Sequence, residues 1–156
     1  MPPPVAPTGV EVGGVHRSDD RGETWSERRD GLADDVHHVL VRDLTEYLAS
    51  CGDGLYRTRD VGERWTRLDD GLSRRYFREA IEHDGRLYAA AARSAPGTWQ
   101  GTPGADAGLF VSNDDGDSFR RVSYPGEPQV LIMRRSNALR NAGNRFGYRW
   151  LGLVAP

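Results

Sequence analysis

The chain has 156 residues, 28% of them charged and 37% hydrophobic, with a net charge of −2. This is the balance of one globular domain long enough to bury a core, and it excludes a general attraction to nucleic acid or anionic membranes. A single cysteine, Cys51, excludes an internal disulfide framework, and no apolar run reaches the ~18 residues that a membrane span needs.

In chain order, the proline-rich start "MPPPVAPTG" has no basic region followed by an apolar stretch, so it does not read as a signal peptide and a cytoplasmic location is expected. "TGVEVGG" is long enough for one strand before the turn-like "HRSDDRGETW" at 16–25. Short apolar alternations then predict four strands at 36–42 (VHHVLVR), 46–50 (EYLAS), 54–58 (GLYRT) and 64–68 (RWTRL). Four more follow at 76–82 (YFREAIE), 86–92 (RLYAAAA), 108–112 (GLFVS) and 118–122 (SFRRV), with a Gly/Pro-rich insertion over 93–107. "QVLIMR" at 129–134 predicts a further strand with no evident partner. Beyond it the chain changes character. All 23 acids lie at or before Glu127, beside 16 arginines, whereas 129–156 hold five arginines and no acid. "LIMRRSNALRNAG" could form a short basic helix, and a frameshift in a GC-rich gene would leave such a tail. The basic residues are all arginine.

The turn-like stretch recurs. Ser18, Asp20, Gly22 and Trp25 reappear as Thr58, Asp60, Gly62 and Trp65, and again as Ser112, Asp114, Gly116 and Phe119, at intervals of 40 and 54 residues. The units are 1–32 (incomplete), 33–72, 73–126 and an atypical 127–156. Hydroxyl and carboxylate side chains accept bonds from turn amides, and glycine supplies positive φ. The aromatic opens the outgoing strand and buries area. Residues of these types predict a hairpin turn, with the three aromatics in equivalent buried or half-buried places.

The pattern resembles the Asp-box, or BNR repeat, Ser/Thr-x-Asp-x-Gly-x-x-Trp/Phe, over about residues 10–126. Such repeats occur in sialidases, sortilin-type receptors, photosystem II assembly factors and microbial propellers. The resemblance implies an all-β fold, a partial β-propeller of four-stranded antiparallel blades, with the box joining the third and fourth strands at the rim. The chain accounts for about two and a half blades, against the four or more of a closed propeller, followed by an irregular or short helical tail. Open blade edges would favour association between copies.

Chemistry is sparse. Sialidases use a tyrosine nucleophile and an arginine cluster. Here Tyr47, Tyr56, Tyr76 and Tyr88 fit strand positions and no early Arg-Ile-Pro segment occurs, so no catalytic set is expected. Adjacent His37 and His38 point to opposite faces of a strand and lack a third ligand, so no metal and no cofactor are expected. Asp19/Asp20, Asp69/Asp70 and Asp114/Asp115 read as solvated turn acids rather than a calcium loop. Cys51 has no neighbouring base. The candidate ligand residues are Arg74, Arg75 and Arg78 at the opening of an innermost strand, His37 on the opening strand of the unit before it, and Trp99 in the long loop. The function expected is a non-catalytic scaffold or binding module, truncated or frameshifted. The alternatives are the remnant of a sialidase-like hydrolase and an assembly factor holding a protein partner.

Overall fold

The structure, a computed structural model, describes residues 6–101, 103–123, 130–135 and 148–153. The first sheet holds β1 (Ala6–Val10), β2 (Gly14–Ser18) and β3 (Ser26–Glu27) in sequence order. The second holds β4 (Val36–Val41), β5 (Tyr47–Cys51), β6 (Gly54–Thr58) and β7 (Thr66–Arg67). The third holds β8 (Tyr76–His83), β9 (Arg86–Ala92), β10 (Gly108–Ser112) and β11 (Arg120–Val122). Each is an antiparallel meander, so the two complete four-stranded units and the shortened first one stand as the repeat predicts. A 3₁₀ turn at Pro96–Thr98 interrupts the inserted loop.

The end of the chain differs from expectation. β12 (Val130–Arg135) pairs antiparallel with β13 (Tyr148–Leu153) over six residue pairs, Val130↔Leu153 to Arg135↔Tyr148. The strand that the sequence left without a partner therefore has one, built from "YRWLGL". Residues 131–135 are extended, in keeping with the strand read at 129–134 and against the alternative of a helix starting there. The rest of that helix, 136–143, lies outside the described residues. β12 runs beside β8 and β9, as β8 runs beside β4 and β5, which is the placement of the first strand of a fourth sheet.

The second sheet buries both faces against its neighbours, and alternation along its strands divides the side chains between them. In β5, Tyr47, Ala49 and Cys51 join Tyr56, Trp65, Val36 and Val15 in the core between the first and second sheets. From the opposite face of β6, Leu55 joins Phe77, Ala80, Ala89, Ala91 and Phe110 in the core between the second and third. The short alanine side chains of β9 let the sheets approach closely. β5, β6 and β10 are buried along their whole length for this reason. Arg42 ties the second and third sheets at the solvent edge. Its Nη1 donates to Glu46 at 2.5 Å and Asp115 at 2.7 Å, and its Nε to Glu82 at 2.9 Å.

Candidate functional site

The three repeated turns close with the same local bonds. The Ser18 hydroxyl donates to Asp20 Oδ1 at 2.8 Å and accepts from the Gly22 N–H at 2.7 Å, while Asp20 Oδ1 accepts from the Thr24 N–H at 2.8 Å. In the second turn the corresponding distances, through Thr58, Asp60, Gly62 and Arg64, are 2.7, 2.9 and 3.0 Å. In the third, through Ser112, Asp114, Gly116 and Ser118, they are 2.7, 2.7 and 2.9 Å. These bonds to the charged form hold Asp20 at about 2, chiefly through the Thr24 hydroxyl, and Asp114 at about 2, chiefly through that of Ser118. Asp60 is lowered as well, mainly by the Thr58 hydroxyl. Positive φ is not confined to the glycines. Arg21, Val61 and Asp115, one residue earlier, sit at 64°, 57° and 59°. Each turn thus reverses through two successive left-handed residues, the second a glycine.

The aromatics are not equivalent. Trp65 is 3% exposed and seated on the first sheet, where its indole N–H donates to the Arg28 carbonyl at 3.0 Å. Phe119 is half-buried against the core between the second and third sheets, on which Leu68 and Leu72 also pack. Trp25 is 47% exposed, and its indole N–H turns back to the Gly22 carbonyl at 3.2 Å. The expectation of a buried or half-buried Trp25 is therefore corrected. Trp65 and Phe119 pack in cores shared with the preceding sheet, and no described strand precedes the first sheet to do the same for Trp25.

The candidate ligand residues gather around two β-bulges. Register shifts between Val36 and His38 on β4, and between Phe77 and Glu79 on β8, leave His37 and Arg78 as the extra residues of the innermost strands. Bulges re-aim side chains in this way. His37 Nδ1 lies 2.6 Å from the Phe77 carbonyl, and its ring stands 4.6 Å from that of Tyr76, tilted by 50°. Arg78 Nη1 donates to the Tyr76 hydroxyl at 3.1 Å. Trp99 meets Tyr76 edge-on at 6.0 Å and donates its indole N–H to the Ser94 carbonyl at 2.8 Å, so it folds back onto the sheet. Asp35 Oδ1 stands 3.1 Å from His37 Nε2, without hydrogen-bond alignment.

Arg74 and Arg75 leave this group. Arg74 is held by Asp106, with Nε on its carbonyl at 2.8 Å and Nη2 on Oδ2 at 2.6 Å. Arg75 points to Asp69 at 3.4 Å. The three arginines that are adjacent in sequence thus form no single cluster. Sequence reasoning missed Tyr76 as the ring that joins the other three. Only the bulge register places it there.

The acids also divide. Asp69, expected to be solvated, is fully buried; it accepts from Arg67 Nε at 3.1 Å and Nη2 at 3.0 Å, and from the Leu55 N–H at 3.3 Å. Asp115 receives Arg42 and Arg59 at 2.7 and 2.9 Å, so it serves as an ion-pair partner between the second and third sheets. A cavity of about 290 Å³ beside the second turn is lined by Arg57, Arg59, Asp60, Arg64 and Thr66. Arg57 is buried and donates to the Asp115 carbonyl at 2.5 Å, Arg59 donates to Asp115 Oδ2 at 2.9 Å, and Arg64 is exposed. Burial pushes the Cys51 thiol up to about 12, so it is no nucleophile. Among the described residues, no group of three His, Cys, Asp or Glu side chains could hold a metal. No helix among them is long and apolar enough to cross a membrane.

No protein-family model matches the chain, and no curated protein matches it in sequence. Solved structures do match. The chain superposes on an ancestral GH74 enzyme with a TM-score of 0.64 at 18% identity, over 86% of this chain and 19% of that one. The Niastella koreensis GH74 enzyme gives 0.61 at 14% identity, over 81% and 20%. The GH74 xyloglucanase of Xanthomonas campestris gives 0.61 at 16% identity, over 97% and 28%. The chain thus spans less than a third of the length of each of these proteins, and at such identities the likeness concerns the fold. The fold is all-β, a partial β-propeller in which the described sheets are successive blades.

Proposed function

We propose that this chain is a non-catalytic propeller module of the Asp-box kind, a scaffold whose binding surface lies at the bulged ends of its innermost strands. The observation that carries this reading is the convergence of His37, Tyr76, Arg78 and Trp99 at two adjacent bulges. Two aromatic rings beside a guanidinium and an imidazole suit a saccharide, whose C–H faces stack on rings and whose hydroxyls accept from cationic donors. An acidic sugar would gain further from Arg78. The three turns serve this surface indirectly by closing the outer hairpins.

Titration calorimetry with oligosaccharides of neutral β-glucan and polygalacturonate tests the reading. Binding should weaken at least tenfold in Arg78→Ala and in Trp99→Ala, with the fold retained. Binding unaffected by both substitutions would move the ligand site elsewhere. A second reading, an incomplete glycoside hydrolase, draws support from the GH74 enzymes among the fold neighbours. Glycoside hydrolysis usually takes two carboxylates flanking the scissile bond, and among the described residues Asp35 lies 3.1 Å from His37 of this cluster. Release of reducing sugar from xyloglucan, abolished in Asp35→Asn, would favour that second reading.

A further inference from the structure

The two bulges spend their extra residues differently. His37 is used inside the fold: its Nδ1 faces the Phe77 carbonyl at 2.6 Å, and its side chain is 4% exposed. That contact fixes the backbone one residue before Arg78. Arg78, its counterpart on β8, is half-buried and pairs with no acid among the described residues. The arginines before it are neutralised, Arg74 by Asp106 at 2.6 Å and Arg75 by Asp69 at 3.4 Å. Arg78 lies against Tyr76 instead. Its Nη1 donates to the Tyr76 hydroxyl at 3.1 Å, and its Cζ stands 5.8 Å from the ring centroid.

A hydroxyl oxygen leaves the guanidinium charge uncompensated, whereas a cation drawn out of water calls for an anionic partner. The Tyr76 hydroxyl that accepts from Arg78 also keeps its own proton, for which no acceptor lies among the described residues. The unused N–H groups of a planar fork thus stand beside a free O–H, and both call for an acceptor. His37 and Trp99 pack on the Tyr76 ring at centroid distances of 4.6 and 6.0 Å, which holds the hydroxyl in place. A carboxylate matches such a fork with two coplanar oxygens. We infer that Tyr76 is the positioning residue of this surface, and that through Arg78 it selects saccharides bearing a carboxylate, as uronic acid units do, over neutral ones. The inference rests on the saccharide reading above, in which the half-buried Trp99 supplies a stacking ring.

Calorimetry of the full chain with trigalacturonate and with its methyl ester, which keeps the rings and removes the charge, tests this. The acid should bind the native chain about tenfold tighter than the ester, or more. R78Q should bring the two within about twofold. Y76F should retain the melting temperature and lower the preference by about threefold or more. W99A should weaken both ligands alike and leave the preference standing. Loosened packing alone changes affinity for acid and ester together, so the preference isolates the role of the hydroxyl. Equal binding of acid and ester by the native chain overturns the inference and leaves the saccharide reading intact. A chain that binds neither, nor neutral β-glucan, loses both. A folded Y76F with an unchanged preference overturns the role of Tyr76. Tri-aspartate bound as tightly as trigalacturonate would give the seat to acidic peptides and overturn it as well. Should Y76F fail to fold, the Arg78 Nε–H and Tyr76 Cζ resonances of the native chain are followed by NMR. A shift of both with the acid alone supports the inference, and any other response overturns it.

Discussion

The indole N–H of Trp65 reaches back 37 residues to the carbonyl of Arg28, 3.0 Å away on the preceding sheet. A side chain that belongs to one hairpin thus satisfies a backbone acceptor of another, and the turn residue becomes part of the contact between blades. Replacing Trp65 by Ala should cost about 3 kcal/mol or more, for lost burial and a cavity between sheets. Trp25→Ala should cost under about 1 kcal/mol, as for an exposed site. Urea unfolding of the two variants checks this, and equal losses would mean that Trp25 is buried in solution.

The turn carboxylates give the fold an acid limit. Asp20 and Asp114 titrate at about 2 in the folded chain, against about 3.9 for a free aspartate. The unfolded chain therefore takes up protons first as the pH falls. The stability from these groups is complete above about pH 4 and is lost between about pH 4 and 2. Asp20→Asn and Asp114→Asn should lower stability at pH 7 and flatten its decline in that window. Carboxyl carbon NMR titration should find both resonances moving near pH 2.

Asp69 is a buried carboxylate held by one half-exposed arginine, with a second at 3.4 Å. Removing it takes the Asp69 acceptor from the Leu55 N–H and leaves the Arg67 guanidinium to Asp53 alone. Asp69→Ala should cost about 2 kcal/mol or more, below the range for a fully buried pair because Arg67 is partly solvated. Asp70→Ala, next in sequence but exposed, should stay within about 0.5 kcal/mol. Thermal unfolding of the two variants separates them.

Cys51 is fully buried, with its thiol raised to about 12 chiefly by burial. In the folded chain it should resist Ellman's reagent at pH 8. Its labelling rate should follow the unfolded fraction as urea is added, so the thiol reports opening of the core between the first two sheets. Labelling at the rate of a free thiol without denaturant would contradict that core.

The sequence by itself determined the hairpins. Their bonds run between residues two and four positions apart, as from Ser18 to Asp20 and Gly22, so residue type and spacing were enough to read them. Strand alternation likewise determined which segments extend, because the period-two facing of side chains is a property of each strand alone. Tertiary structure decided what those segments meet. Trp25 and Trp65 share one motif yet differ in burial, because only one has a sheet before it. Asp69 and Asp70 are neighbours, but only Asp69 turns under the hairpin to Arg67 and Leu55. β13 pairs with β12 across residues 136–147, a long-range match that local composition does not announce. The gathering of His37, Arg78, Tyr76 and Trp99 depends on two bulges and on the packing of adjacent sheets. A one-residue slip in register reverses the facing of a strand. That slip is a choice between sheets, made only once both are in place.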